Sequence, residues 1–234
     1  QVSRPAQEVG GDFFTELPGR NDGEHVVVYG DVSGKSISGA LMMMAAHEVL
    51  NSVALAHPEP EKLLRLANER LYALRGTRKR TEIQGGSFVA LGYLGFRAGE
   101  GVFSYTLAGQ PPPMVRRQSG EIECLEMPNH RLPLGAMRVG GHQMMECELE
   151  AGDLIVAYSD GVVEAQSPTG DFFGEERLAG ALASSPSDPH EAVDHLLKEI
   201  EAFTCGHTPY DDVTLLAASW SPEKRSSAIA ASVP

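Results

Sequence analysis

The sequence predicts an α+β domain in which two packed antiparallel β-sheets form a sandwich with helices on both outer faces. Two helical stretches come early in the chain and two come late, and short β-rich runs lie between them from residue 87 onward. No internal repeat or linker interrupts this order. With 234 residues the chain can bury a large core. We therefore expect residues 1–220 to form one domain.

The first part of the chain predicts a strand followed by two helices. The run HVVVYGD at residues 25–31 is rich in β-branched residues and ends in turn formers, which predicts a buried strand with Asp31 at its C-terminal edge. The next helix, which Ser38 can cap, is apolar on nearly every side, so we expect it to pack deep between a sheet and another helix. A second, amphipathic helix follows Pro58 and ends at Gly76.

Positive charge is concentrated in the loop that follows this helix, which contains Arg75, Arg78, Lys79 and Arg80. The chain as a whole is acidic, with a formal net charge of −13. A solvated surface loop and a contact with a partner or phosphopeptide both fit this pattern.

The periodicity becomes that of strands after residue 87. Ser119-Gly120 and Ala151-Gly152 lie where hairpin turns would fall. Helices are predicted at 174–184 and 188–203, and residues 221–234 have no pattern, which predicts a disordered tail. The predicted strand runs are SFVALGYLGF, GVFSYTLAG, PMVRRQSGEIECLEM, HQMMECELE, DLIVAYSDGVVEA and, at the end, DDVTLLAASW.

Composition argues against several classes of function. A net charge of −13 and a pI near 5.0 provide no basic surface for nucleic acid. The cysteines Cys124, Cys147 and Cys205 are far apart, which fits a reducing cytoplasm. No run reaches the roughly 18 consecutive apolar residues of a membrane span. Because the chain begins at Gln1 without a methionine, we expect it to be part of a longer protein.

The segment YGDVSGKSISG, residues 29–39, resembles the end of a phosphate-binding loop with the pattern G-x-x-x-x-G-K-[ST]. The spacing fails by one residue, because Tyr29 stands where the first glycine is needed and Gly30 is too close to Gly34. The carboxylate of Asp31 would also compete with an anionic ligand. The segment therefore favours a metal-binding carboxylate over a phosphate loop.

Four aspartates lie where predicted strands meet loops: Asp12, Asp31, Asp160 and Asp211. Glycine stands beside Asp12 and Asp160, which allows close approach of the backbone. Acids are costly to bury and repel one another when gathered. Mg²⁺ or Mn²⁺, which prefer carboxylate, carbonyl and water oxygens, would hold such a group together. Each aspartate alone also fits a turn former or a helix cap.

The chain resembles the SpoIIE/RsbU branch of the PPM-type, metal-dependent protein serine/threonine phosphatases. The resemblance runs from about Pro5 to Trp220 and implies a β-sandwich flanked by helices, as predicted above. The segments that carry it are, in order, PAQEVGGDFF, GDVSGKSISGALMM, LAGQPPPMV, LPLGA, GDLIVAYSDGVVEAQ, FFGEERL and DDVTLL.

The resemblance implies a catalytic site with two divalent cations, Mn²⁺ or Mg²⁺. Asp31 would be the carboxylate that bridges the two metals, and the backbone carbonyl of Val32 would bind one of them. Asp12 would serve the first metal, directly or through a water. Asp160 and Asp211 would hold the second metal.

The same resemblance implies roles for residues around the metals. Asp212 would support the ligands from behind, and Gly161 would lie beside the substrate. Lys35 is either a solvated side chain or a point-charge partner of the substrate phosphate. Gln110 departs from the family, since relatives commonly have His there, and Gln keeps one hydrogen bond but cannot be protonated.

The implied function is metal-dependent hydrolysis of phosphoserine or phosphothreonine by a water that two cations activate. The implied substrate is a phosphorylated STAS-domain anti-sigma-factor antagonist in bacterial cytoplasmic signalling, with an upstream sensor domain and a homodimer as further expected partners. The residues alone indicate a phosphomonoester hydrolase. Two alternatives stay open: a module that binds a phosphorylated regulator without turnover, and a binuclear metal hydrolase of small phosphate esters.

Overall fold

Two five-stranded antiparallel sheets pack face to face and confirm the predicted sandwich. A computed structural model describes residues 2–4, 11–33, 37–76, 88–97, 99–129, 131–206 and 211–222. In spatial order, the first sheet contains β1 (Val2–Arg4), β10 (Val213–Ser219), β9 (Leu154–Tyr158), β6 (Met114–Arg116) and β7 (Ile122–Cys124). The second contains β2 (Phe13–Leu17), β3 (Glu24–Val32), β4 (Val89–Arg97), β5 (Val102–Ala108) and β8 (Met145–Glu148).

Helices cover both outer faces of the sandwich, so that apolar side chains form three buried layers. Helices α1 (Ile37–Ala56) and α2 (Pro60–Gly76) lie on the second sheet, and α3 (Asp160–Val163), α4 (Gly174–Ser184) and α5 (Pro189–Thr204) lie on the first. Each layer has fully or nearly fully buried side chains. Representative residues are Leu50 and Leu64 on the inner faces of α1 and α2, Phe103 and Ile155 between the sheets, and Leu182 and Leu196 on the inner faces of α4 and α5.

The prediction that α1 is buried on nearly every side is wrong. One face packs against α2 and the second sheet, but Leu41, Met44 and Leu55 are exposed on the other. Over Gly39–Ala56 the helix is long and apolar enough to cross a membrane, a test that core helices of soluble proteins also pass. In α2, Leu63, Leu64, Ala67 and Leu71, which recur at helical spacing, are buried, whereas Leu74 of the same series is exposed.

Two strand predictions also need correction. In the run DLIVAYSDGVVEA only Leu154–Tyr158 is a strand, and the following residues form the short helix α3. The turn at Ala151-Gly152 does not close a hairpin, because β8 before it and β9 after it belong to different sheets. This turn instead carries the chain from one sheet to the other.

Strong local signals produced correct predictions elsewhere. The turn at Ser119-Gly120 joins β6 to its hairpin partner β7, and Gly120 has a φ of +89°, which favours glycine. Helices α4 and α5 begin and end close to the predicted residues. The carboxylate of Asp188 caps α5 by accepting from the backbone N–H groups of His190 and Glu191 at 2.9 and 3.1 Å.

Several predictions fall on residues outside the described ranges. Lys35, the basic residues Arg78, Lys79 and Arg80, and the tail after Pro222 are among them. The side chain of Ser38 is not described either. What was expected of these residues stays a prediction.

The buried side chain of Arg116 ties the first sheet to the connection between α4 and α5. Its guanidinium donates to the carbonyl oxygen of Ser185 and, at 3.2 Å, to that of Pro186. It also donates to the hydroxyl oxygens of Ser185 and Ser187 at 3.2 and 3.1 Å. Buried acceptors need hydrogen-bond donors. The single guanidinium of Arg116 supplies donors to several acceptors at once.

We predict that Arg116→Met lowers the free energy of unfolding by about 2 to 4 kcal/mol, because the buried carbonyl and hydroxyl oxygens of Ser185 lose their donor. Urea denaturation followed by circular dichroism measures the change. Arg65→Met is the matched control: Arg65 forms an exposed helical ion pair with Glu69 at 3.0 Å, so its loss should change stability by about 0.5 kcal/mol or less. Equal effects of the two substitutions would contradict the role given to Arg116.

Candidate functional site

Strand pairing in the second sheet places Asp12 beside Asp31. Phe13 opens β2 and pairs with the residue before Asp31 in β3. The backbone N–H of Val32 donates to the carbonyl oxygen of Gly11 at 3.2 Å, which extends the contact beyond the strands. Both carboxylates therefore lie at the same end of the sheet.

Strand pairing in the first sheet brings Asp160 and Asp211 to a common edge. Strand β9 ends shortly before Asp160, and its antiparallel partner β10 begins shortly after Asp211. Gly161 allows the two chain segments to approach closely. A Cβ at this position would lie 3.4 Å from the Cβ of Asp211 and would overlap the carbonyl oxygen of Asp212. The structure thus gives Gly161 a packing role, and its predicted contact with substrate stays a prediction.

The carboxylate of Asp212 joins the two sheets at this end. It is buried, and its Oδ2 accepts from the backbone N–H of Gly11 at 2.5 Å and from that of Asp12 at 3.3 Å. Its own backbone N–H donates to Oδ1 of Asp211 at 2.9 Å. Asp212 therefore fixes the backbone that carries Asp12 and lies directly against Asp211.

Thr214 and Ser159 complete this arrangement, and the sequence analysis missed both. The Thr214 hydroxyl donates to Oδ2 of Asp12. Two hydrogen bonds connect Thr214 to Ser159. The Thr214 N–H donates to the Ser159 hydroxyl, and the Ser159 N–H donates to the Thr214 carbonyl, both at 3.0 Å. The Ser159 hydroxyl also donates to the Asp212 carbonyl at 3.3 Å. The one available signal was a polar Thr inside the apolar strand run VTLLAA.

The pKa of Asp12 is raised to about 7. Burial is the main cause, and the hydrogen bond from Thr214 opposes it. The neighbouring carboxylates of Asp31, Asp212 and Asp160 raise the pKa further by like-charge repulsion. A single carboxylate thus experiences charges from both sheets.

The pKa of Glu164, which follows α3, is also raised. Burial is again the first cause, and the charges of Asp160 and Asp211 add to it. These couplings and the backbone contacts above join five aspartates into one acidic site, which consists of Asp12, Asp31, Asp160, Asp211 and Asp212.

The residues of the acidic site fit hard divalent cations. Its donors are carboxylate and carbonyl oxygens, the ligands that Mg²⁺ and Mn²⁺ prefer. Gly11 keeps a cradle open: a Cβ there would lie 2.5 Å from Oδ1 of Asp31 and 2.9 Å from the carbonyl oxygen of Val32. Within the described residues, no three acidic, histidine or cysteine side chains already close around one point as a ligand set.

Gln110, where relatives commonly have His, is buried just after β5. Its Oε1 has no hydrogen-bond partner among the described residues. The neighbouring Gly109 lies against Ala90 in β4, and Ala90 pairs with Asp31 of β3. Gln110 is therefore near the acidic site. Lys35, for which a solvated side chain and a contact with the substrate phosphate both stay open, is outside the described residues.

Comparisons with known proteins agree with this fold. The family model for stage II sporulation protein E (SpoIIE) matches residues 21–221. The SiaA-PP2C domain of Pseudomonas aeruginosa superposes with a TM-score of 0.79 at 19% identity, covering 94% of this chain and 85% of that one. At this identity the similarity establishes the fold.

Two curated relatives are similar in sequence. Protein IcfG of Synechocystis is 26% identical in an alignment 240 positions long, which covers 92% of this chain and 37% of IcfG. The phosphoserine phosphatase RsbU of Bacillus subtilis is 25% identical over 170 residues, which cover 72% of this chain and 47% of RsbU. The chain thus spans less than half the length of either. With the family model matching most of its residues, the chain belongs to the SpoIIE family, within the SpoIIE/RsbU branch of the PPM-type protein serine/threonine phosphatases.

Proposed function

We propose that this chain is a metal-dependent protein phosphatase that hydrolyses phosphoserine or phosphothreonine with water. The observation that carries the proposal is the convergence of carboxylates from both sheets around Gly11, where Asp31 and Asp212 lie against the same glycine. Asp212 is buried, Asp12, Asp31 and Asp211 are half-buried and Asp160 is exposed. Like charges gathered in this way repel one another, so a ligand that compensates their charge is the simplest reason for the arrangement. The family is metal-dependent, which supports the same conclusion.

Two divalent cations, Mg²⁺ or Mn²⁺, would be held by this chain's oxygen ligands. Asp31 would bridge them with the Val32 carbonyl beside it, Asp12 would serve the first, and Asp160 and Asp211 would hold the second. When bound, the cations supply positive charge that activates water and neutralises the phosphoryl oxygens during attack at phosphorus.

The chain's own residues prepare the carboxylates for this task. Asp212 holds the backbone N–H groups of Gly11 and Asp12, and the Thr214 hydroxyl fixes the orientation of the Asp12 carboxylate. Such supporting contacts orient metal ligands and tune their affinity. Because the pKa of Asp12 is raised to about 7, this side chain must release a proton to act as a ligand at lower pH.

We further propose a phosphorylated STAS-domain anti-sigma-factor antagonist as the substrate, in the bacterial cytoplasm. The similarity to RsbU, a phosphoserine phosphatase, supports phosphoserine as the target group. Because the relatives are more than twice as long as the matched region, a sensor domain upstream and a homodimer are part of the proposal for the whole protein.

Two other functions predict different behaviour. A module that binds a phosphorylated regulator without turnover needs no cations arranged for chemistry, so the gathered carboxylates of the acidic site argue against it. A hydrolase of small phosphate esters would need the acidic site but no surface for a protein. These functions are separated by measuring turnover of small and protein substrates together.

We expect the Mn²⁺-loaded chain to hydrolyse p-nitrophenyl phosphate and a phosphoserine peptide, and Asp31→Asn to lower turnover at least about a hundredfold, because the proposed bridging charge is lost. Phosphate release with and without chelator measures both effects. Asp22→Asn, an exposed aspartate in the β2–β3 connection, is the matched control and should retain full activity. Activity that persists in chelator would overturn the metal mechanism.

Phosphate release from a panel of phosphorylated STAS-domain proteins tests the proposed substrate class. We expect Mn²⁺-dependent release from at least one member, with Asp31→Asn inactive on the same protein. Tight binding of a phosphorylated member without release would instead favour the binding module. Turnover of p-nitrophenyl phosphate with no release from any phosphoprotein would favour the small-ester hydrolase.

The raised pKa of Asp12 predicts the pH dependence of the metal-free chain. The folded state holds the Asp12 proton up to about pH 7, whereas the unfolded chain loses it near pH 4. Stability therefore falls as pH rises across this window, and Asp12 should contribute a loss of about 1 to 3 kcal/mol between pH 5 and 7.5. Urea unfolding in chelator measures the slope. Asp12→Asn should remove this contribution, and an unchanged slope in that variant would contradict the assignment.

A further inference from the structure

A segment near the acidic site displays large apolar side chains to solvent. Leu132, Met137 and Val139 are 52%, 57% and 82% exposed. They belong to residues 131–141, here called the rim segment, which lies between β7 and β8. Single exposed apolar residues are ordinary, but three within one short segment concentrate apolar surface there, as interaction sites do.

The backbone of the rim segment is held in place from below. The buried amide of Asn68 in α2 donates to the Met137 carbonyl at 3.1 Å and accepts from the Gly135 N–H at 2.8 Å. The His142 imidazole Nε2 lies 2.9 Å from the carbonyl oxygen of Leu132. The exposed side chains are therefore presented on a fixed frame, which reduces the entropy lost when a partner docks.

The same segment adjoins the strand ends that carry the acidic site. Leu134 and Val89 exchange backbone hydrogen bonds at 2.8 and 3.0 Å, and Val89 lies opposite Val32 in β3. Since neighbouring strands are about 5 Å apart, Leu134 lies roughly 10 Å from the residue next to Asp31. A protein seated on the rim segment could therefore place a phosphorylated side chain in the acidic site.

The charge of this stretch differs from that of the rest of the chain. Residues 127–144 contain no Asp or Glu, although the whole sequence has 32 of them, and they include Arg131 and Arg138, both exposed. An acidic partner, repelled by the chain as a whole, meets local attraction here. An apolar centre combined with Met and Arg is also the composition typical of protein interfaces.

We propose that the rim segment is the docking surface for the folded phosphoprotein substrate. It binds an apolar surface flanked by acidic residues on that protein, while the phosphorylated side chain enters the acidic site. The inference rests on the proposed phosphatase function and adds the surface that recognises the protein. Small phosphate esters, which are too small to reach the rim segment, are hydrolysed without it.

The experiment compares two substrates in variants of the rim segment. Val139→Asp and Met137→Asp place a charge on exposed side chains, so folding is retained while an acidic, apolar partner is rejected. We expect kcat/KM for the phosphorylated STAS-domain protein of the panel that is turned over fastest to fall at least tenfold. Turnover of p-nitrophenyl phosphate should stay within twofold of the parent chain.

Leu55→Asp is the matched control, because Leu55 is 78% exposed on α1 and lies outside the rim segment. It should leave both substrates unaffected. Arg138→Glu should also weaken turnover of the phosphoprotein, more strongly at low salt than at high salt, since it reverses a charge at the edge of the surface.

Four outcomes would overturn the docking proposal. Rim variants could hydrolyse the phosphoprotein as fast as the parent, or could lose both substrates equally. The parent could hydrolyse p-nitrophenyl phosphate but none of the phosphorylated STAS-domain proteins. Light scattering could show that the rim variants abolish a dimer, which would make the segment an interface between copies. Absence of p-nitrophenyl phosphate turnover by the parent would instead refute the phosphatase function itself.

Discussion

Repulsion among the aspartates of the acidic site is the constraint that the surrounding structure is organised to withstand. Asp12 shows its strength, because burial and neighbouring carboxylates raise its pKa to about 7. The fold opposes this repulsion with hydrogen-bond donors. Two backbone N–H groups donate to the Asp212 carboxylate, and the Thr214 hydroxyl donates to the Asp12 carboxylate. Amides or apolar side chains would stabilise the same positions better. The presence of carboxylates at these positions therefore favours a site shaped for a cationic ligand.

The sandwich brings these acids together through register. In the second sheet the pairing of β2 with β3 places Asp12 and Asp31 at one end, and in the first sheet β9 and β10 do the same for Asp160 and Asp211. A slip of one residue in either pair would turn a carboxylate to the opposite face. The apolar layer between the sheets fixes both registers, so the core of the fold determines the geometry of the site.

Local signals made part of this structure predictable. The β-branched run that ends at Asp31 and the capped helix that begins at Pro189 were found because their sequence patterns need no distant partner. Helix α3 was mistaken for strand, since its two valines continue an apolar run. The exposed face of α1 and the strand β1 depend on what packs beside them, which periodicity does not encode.

In the site, too, local sequence patterns identified residues, whereas contacts between distant residues appear only in the structure. Aspartates at strand ends identified the acidic residues, but the bond from the Gly11 N–H to Asp212 joins residues 201 positions apart. The role of Thr214 likewise appears only when β10 is placed beside Asp12. Contacts of this kind follow from tertiary packing: the sequence can mark a residue, such as the polar Thr in an apolar strand run, but it does not identify the distant partner.

Electrostatic repulsion between the chain and a phosphoprotein has two parts, one at the acidic site and one along the neighbouring surface. A chain with a net charge of −13 repels an acidic phosphoprotein at a distance, and its carboxylates repel the phosphate at contact. Cations would reverse the sign at the acidic site, while Arg131 and Arg138 reverse it along the neighbouring surface. A binding module needs only the second feature, and a small-ester hydrolase needs only the first. Their adjacency, through the pairing of Val89 with Leu134, is what turnover of a folded phosphoprotein requires.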